Sequence, residues 1–406
     1  MIRFLLAAQA LVAQTSLTVE EAVALALKNH PDGVVARASR DVAAAQVQTA
    51  AVLPQPELRV SFNNFAIDPE MMEARSNLGV RWSPPRPREM ALQRQVAQAR
   101  QSGVDASVRG FEARLAAETR LAFRRAAIAA ERAGTAQQAV TLRARVLDVV
   151  RRQVAAGLKE ASEADLAELT VADAEAELRR ARGAADTELR TLRRWMGVSD
   201  ASPYVLAPEP GLMETPAAVL LRADPQAEAA RMRTELQQAA TACRETDLIA
   251  AIARNQRYPW ISFTQVTRRV STLENRGPWS FQFGVDLPLF RTQAKAEQKV
   301  AEAQGSRCRA QQKALEWRVR NEVSEAMAAL ETARQELAEM ERVRLGIAAK
   351  AWERAKTALA GGRSDQVDVL LAEVRTVALR ERWLERRMEY ARLEAQYEHA
   401  VGGMAQ

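Results

Sequence analysis

Hydrophobic and polar residues alternate with period two in four short stretches of the chain. Leu58, Val60 and Phe62 alternate with Arg59, Ser61 and Asn63, and Leu78, Val80 and Trp82 with Asn77, Gly79 and Arg81. Later, Ile261 and Phe263 alternate with Ser262 and Thr264, and Phe281, Phe283, Val285 and Leu287 with Gln282, Gly284 and Asp286. Side chains of a strand point alternately to its two faces, so this period predicts strands with one apolar face. The expected strands cover residues 57–65 and 77–83, then 260–270 and 278–287. Asp68-Pro69 and Asn275-Arg276-Gly277 supply loop chemistry between them, which makes two hairpins.

Elsewhere the pattern is helical. From Arg88 to Ala155 no proline interrupts the chain. A helix of that length would measure roughly 100 Å at 1.5 Å per residue, far more than a globular core needs. Leu142, Val146, Val149 and Val150 follow one helical face. Leu370, Val374, Val377, Leu384, Met388 and Ala391 form an alternating four-three ladder, broken by Glu381. These stripes predict coiled-coil packing.

The chain reads as one unit written twice. Gly79 and Gly284, Gly157 and Gly362, and Gly197 and Gly402 recur at one common offset, as do Ala167-Glu168 and Ala372-Glu373. A shared frame over so long a stretch argues for duplication. The first repeat is expected over residues 17–198 and the second over 217–403, each in the order helix, two strands, long helix, helix. Pro203, Pro208, Pro210, Gly211 and Pro216 break helix repeatedly and mark 199–216 as the linker. Asn29-His30-Pro31 and Ala223-Asp224-Pro225 are taken as equivalent helix starts, with Asp224 as a good N-cap. On that alignment the second repeat carries an insertion of three helical turns in its first helix.

Four strands do not close a barrel, and lipid does not tolerate open strand edges. Two solutions remain: oligomerisation, in which three copies close a barrel of twelve strands, or a soluble sheet covered by helices. On the first solution Leu58, Val60, Phe62, Phe281, Phe283 and Val285 face lipid, while Ser61 and Gln282 face the lumen.

Composition narrows the function. Of 406 residues 48% are apolar and 27% charged, which excludes a disordered chain. No later stretch of 18 apolar residues appears, so no helix is expected to cross a membrane. Arg3 followed by the apolar run Phe4 to Ala13 reads as a secretory signal over residues 1–13. The net charge of +7 would suit nucleic acid, but arginines interleave with glutamates, as in Glu385-Arg386-Arg387, and that describes a solvated helix face. No nucleic-acid partner is expected. Two histidines and two cysteines, without metal-ligand spacing, point to no metal site and no cofactor. No nucleotide-binding or nucleophile motif appears, and an enzyme is not expected.

Against this background several motifs resemble the TolC-like outer-membrane efflux proteins. They are the second strand running into Asp286-Leu287-Pro288-Leu289-Phe290, and the sequence Ala360-Gly361-Gly362-Arg363-Ser364-Asp365-Gln366-Val367-Asp368 with its mate from Ala156-Gly157 to Ala167-Glu168. The resemblance covers nearly the whole chain after the signal. It implies a mainly α fold with a small β part, built as a trimer with a 12-stranded outer-membrane barrel and a periplasmic coiled-coil tunnel. It implies the outer membrane of a Gram-negative bacterium, and the exit duct of a tripartite efflux pump, passing small substrates or metal cations. The short length and Leu-Pro-Leu-Phe lean to the cation-efflux branch. Gly157, Gly361, Gly362, Arg363, Ser364 and Asp365 would be tips that meet a periplasmic adaptor, and through it an inner-membrane pump. Asp368, with Glu163 as its mate, would form an acidic ring at the periplasmic gate. The first tip departs from the family pattern, since Ser162 and Asp165 fall late. A protein-secretion duct of the type I kind and a soluble coiled-coil scaffold stand as alternatives.

Cys243 lies 16 residues before Pro259, and Cys308 about 19 after Leu289. Both therefore sit at similar depth, roughly 24–28 Å from the strands, on helices that flank one hairpin. Equal height allows a disulfide but does not set the azimuth; two separate buried thiols are the alternative.

Overall fold

The computed structural model describes residues 16–50, 52–63, 75–199, 204–207, 224–271, 278–287 and 291–402. The expected signal, most of the linker and the segment Pro288-Leu289-Phe290 lie outside the described residues. The chain divides into two compact units: Met1–Val35, Gly110–Arg233 and Arg318–Gln406 form one, and Ala36–Arg109 and Thr234–Trp317 the other.

The first unit is helical. It holds α1 (Val19–Asn29), most of α3 (Glu89–Ala155), α4 (Ala161–Met196), α5 (Pro225–Met232), α8 (Gly346–Ala360) and α9 (Gln366–Val401). Thr18 opens α1 with a capping box: its side chain accepts from Glu21 N–H, and Glu21 returns a bond to Thr18 N–H. One core gathers Leu17 and Ala22 with Ala122, Phe123 and Ala126 of α3 and Leu192 and Met196 of α4. It is tied off by a two-residue parallel pairing of β1 (Ser16–Leu17) with β4 (Val205–Leu206). Between α3 and α9, Glu394, only 4% exposed, is paired with Arg124. A buried carboxylate needs such a partner, and losing it would leave an uncompensated charge. At the far end of α9, Arg233 donates to the carbonyls of His399 and Ala400 and pairs with Glu322 at 3.0 Å. It thus satisfies carbonyls that the helix end leaves open.

The second unit holds the sheet and the helices beside it: most of α2 (Pro31–Thr49), α6 (Thr234–Asn255), the start of α3 and most of α7 (Arg291–Glu339). The strands are β2 (Glu57–Asn63), β3 (Arg75–Trp82), β5 (Trp260–Ser271) and β6 (Trp279–Asp286). They run antiparallel in the order β2-β3-β5-β6, so the hairpins join through β3 and β5. Trp82 Nε1 donates to the Pro54 carbonyl and Trp260 Nε1 to that of Pro84, and Arg86 bonds the Tyr258 carbonyl, which fixes the strand ends. Below them α6 lies between two helices. Arg100 reaches it from α3 through Glu245 at 2.7 Å, and Arg309 reaches it from α7 through Asp247 at 2.8 Å. One turn from that last pair, Cys243 and Cys308 form a disulfide with Cα atoms 5.5 Å apart.

Each long-helix region differs in one respect. α3 runs unbroken for 67 residues. Its counterpart passes from α7 through a π-helical segment, Met340–Leu345, into α8.

The alignment of helix starts at Pro31 and Pro225 needs correction. Pro31 is the first residue of α2, whereas Pro225 is the first residue of α5, the short helix that precedes α6. Each repeat in fact has a short helix, a break and a longer helix, α1 then α2 and α5 then α6. The breaks fall at His30 and Arg233, and no three-turn insertion exists. Proline suits any first turn, so it marked two different helices. The closing glycines agree with the new alignment. Gly197, at φ +66°, would place a Cβ 2.8 Å from the Asn29 carbonyl; Gly402, at φ +105°, would place one 2.9 Å from Met232. In both repeats the last helix thus stops against the break in the first helix pair.

Gly157 has nearly the same dihedral, φ +70°, but open space around it. Gly197→Ala should therefore cost about 2–5 kcal/mol, from left-handed strain plus overlap, and Gly157→Ala about 1–2 kcal/mol from strain alone. Thermal unfolding of the two variants checks this, and equal losses would refute it. Closing a loop of 65 residues, the disulfide should contribute roughly 2–4 kcal/mol. A lowered unfolding midpoint in Cys243→Ala/Cys308→Ala, beside non-alkylated cysteines in the unreduced parent, is the expected pair of results.

Candidate functional site

Two surfaces carry the sequence-predicted residues, one in each unit. In the first unit, α3 ends at a turn into α4, and α8 at a turn into α9. Both turns are closed the same way. Leu158 N–H bonds the Gln153 carbonyl and Gly157 N–H that of Val154, while Arg363 N–H bonds Ala358 and Gly362 N–H bonds Leu359. This pair of bonds needs a left-handed residue, and Gly157 and Gly362 supply it at φ +70° and +67°. Gly361 does not: its φ is −88°. Gly361 and Arg363 are exposed and Ser364 half-buried.

Asp365 is the N-cap of α9, accepting from Gln366 N–H. Asp368 is the third residue of that helix and completes a capping box. It accepts from Asp365 N–H at 3.3 Å and from the Ser364 hydroxyl at 3.0 Å. The residue proposed for the gate therefore has a local structural task, while remaining exposed. Its mate Glu163 is exposed too, and pairs with Lys159 at 2.6 Å. Glu160 occupies the N-cap of α4 without a side-chain capping bond, so the first turn is the less tightly capped.

The two turns are held together by contacts that sequence did not expose. Gln153 donates to Asp365 at 2.6 Å. Beneath them Val149 and Val150 of α3 pack with Val367 and Leu370 of α9, and with Ala164 of α4. The α3 and α9 stripes read from the sequence meet here. The bond from Gln153, helped by the backbone N–H groups of Gln366 and Val367 and by Lys159, holds the Asp365 carboxyl below the usual carboxylate range.

The second surface is the sheet. Register assigns its faces, since directly paired residues share one. Leu58 pairs with Val80 and Val60 with Leu78; Val80 pairs with Val266, and Val266 with Phe281. Phe283 pairs with Thr264 and Val285 with Ile261. This face is apolar and bare: Leu58 is 70% exposed, Phe281 75% and Phe283 74%. Exposure on that scale marks an interaction surface. The side chain of Phe62 lies outside the described residues. Ser61 and Gln282 fall on the opposite, polar face, with Asn77, Gln265 and Thr267.

One expected position is reversed. Ile261 and Phe263 alternate as if on one face, but a bulge between them turns Phe263 to the polar side, opposite Gly284. A Cβ at Gly284 would lie 2.5 Å from the Phe263 ring, so the glycine makes room for it. Gly79 is in the same position against Thr267, where a Cβ would overlap the Thr267 methyl.

No protein-family model and no curated protein matches this sequence. Solved structures do. A crystal structure of CusC, from a study of folding and transmembrane channel formation, superimposes with a TM-score of 0.79 at 15% identity, covering 96% of this chain and 93% of that one. The outer-membrane protein VceC of Vibrio cholerae gives 0.74 at 15%, covering 95% and 96%. The MtrE outer-membrane channel of Neisseria gonorrhoeae, in its open state, gives 0.70 at 17%, covering 95% and 89%. The chain therefore has the fold of the TolC-like outer-membrane channels over nearly its whole length: long helices with a small antiparallel sheet.

The Asp365 carboxyl sets the sign of a pH effect. Its value in the fold is depressed, so the stability that its bond to Gln153 contributes is present above the ordinary carboxylate value. That stability is lost as pH falls through the depressed value. Gln153→Leu should thus lower the unfolding midpoint at neutral pH, and the gap to the parent should narrow in acid. A gap that stays constant with pH would exclude the linkage.

Proposed function

We propose that three copies of this chain form a passive outer-membrane exit duct of a tripartite efflux pump. The observation that carries this reading is the sheet: four strands with two open edges, one bare apolar face and one polar face. In lipid every backbone polar group needs a partner, so the edges β2 and β6 must pair with further copies. Three copies supply twelve strands, an ordinary number for such barrels. The apolar face, with Leu58, Val60, Phe281, Phe283 and Val285, then meets lipid, and the polar face lines the lumen. Trp279, beside Arg268 at the loop end of the same face, suits the headgroup level. The likeness in fold to outer-membrane channels, CmeC of Campylobacter jejuni among them, supports the same reading.

The paired turns at Gly157 and Gly362 are the part of this duct that meets a periplasmic adaptor. Their exposed, rigid caps offer a fixed surface, and the adaptor links them to an inner-membrane pump. Asp368 and Glu163 are the carboxylates of the periplasmic entrance. Substrates pass through without chemistry.

Phe283→Arg should destabilise the trimer by roughly 2–4 kcal/mol if it lies near the bilayer middle, and Gln282→Arg should be tolerated. Heat-modifiable migration of the detergent-extracted protein reads both. Equal tolerance at the two neighbours, or a monomer free of detergent, would defeat the reading.

A further inference from the structure

The polar face of the sheet is not electrically neutral. Starting near the helices, one cross-strand row holds Glu57 and Arg81 with Gln265 and Gln282. The next holds Arg59 with Gly79, Thr267 and Ser280, and the next Ser61, Asn77 and Arg269. Across these rows three arginines face one carboxylate. Glu57 lies 3.3 Å from Arg59, but both are well exposed, and such a pair is weak. Arg81 and Arg269 make no ion pair among the described residues. The Arg81 guanidinium is instead seated over the Phe263 ring, 4.1 Å from its centre. The bulge that turns Phe263 inward, and the glycine that admits it, therefore hold a positive charge on the polar face. Asp286, at the helix end of the face, is drawn to Arg86 at 3.8 Å.

The geometry points to a barrel lumen that selects anionic solutes, with Arg59, Arg81 and Arg269 as its specificity-determining residues. This rests on the trimeric duct reading, in which the polar face lines the lumen and three copies triple the excess of charge. A channel lined by one sign of charge, with a low-dielectric wall, concentrates the opposite ion. Rings of arginine act this way towards anions and phosphates. The substrates favoured at the exit are then organic or inorganic anions, including metals carried as anionic complexes, rather than bare cations.

Adenosine triphosphate, added to the barrel side of trimers in a planar bilayer, tests this. At about 0.1 M salt, where charges act over roughly 10 Å, it should block the current, and raising the salt should relieve the block. In Arg59→Gln/Arg81→Gln/Arg269→Gln the blocking on-rate should fall on the order of tenfold. The matching lysine variant keeps the charge and should stay close to the parent, which separates charge from folding. A conducting parent trimer that the polyanion does not block, or equal block in the parent and glutamine forms, would overturn the inference and leave the duct standing. Absence of any trimer or conductance would remove the duct reading itself, and this inference with it.

Discussion

An unpaired backbone amide at a strand edge is costly wherever water cannot reach it. The sheet of this chain has two such edges, β2 and β6, on a structure whose bare face is apolar. One copy cannot satisfy those groups by folding differently, because the order β2-β3-β5-β6 already uses the inner edges of both hairpins. On the trimeric duct reading the edges pair with another copy, and the apolar face meets lipid. Charge on the opposite face becomes meaningful only once closure encloses it. Each functional reading of the sheet therefore descends from hydrogen bonds that one chain leaves open.

Duplication supplies the rest, and its glycines show how. Gly79 and Gly284 are needed because a side chain crosses the sheet at each position. Gly157 and Gly362 are needed because a left-handed residue must end a helix. Gly197 and Gly402 need both freedoms, since backbone approaches them closely at positive φ. Six positions thus follow from three local geometries, each used twice. The repeats diverge where geometry permits. One turn has a capping box from Asp365 and Asp368 and the other has an ion pair from Lys159 to Glu163. One long helix is unbroken and the other contains a π-helical segment.

Much of this was legible in the sequence, for definite reasons. The strands show because their period is two and one face is apolar. The long helix shows because nothing in it breaks helix. Other features failed to show because they depend on distant partners or on one-residue shifts. The bulge at Ile261 flips a face without changing the alternation around it, so Phe263 reads as apolar-side when it is not. Pro225 reads as the mate of Pro31 because proline favours any first turn. The short helix α1 has as its local mark Thr18 and Glu21 at capping-box spacing, a signal without an apolar stripe long enough to stand beside it. Gln153 and Asp365 are far apart in sequence, and neither residue announces the other. The π-helical segment at Met340 has no proline or glycine within it to mark it.

The seam between β3 and β5 has a kinetic consequence. Gly79 pairs with Thr267, roughly 190 positions along the chain, and so non-local a contact forms slowly. During synthesis the first hairpin exists long before its neighbour does. Until β5 arrives, β3 offers an open edge beside the bare side chains of Leu78 and Val80. That intermediate has the features of an aggregation template. A chain built on this topology needs either a holding factor during synthesis or a fast route for its second half.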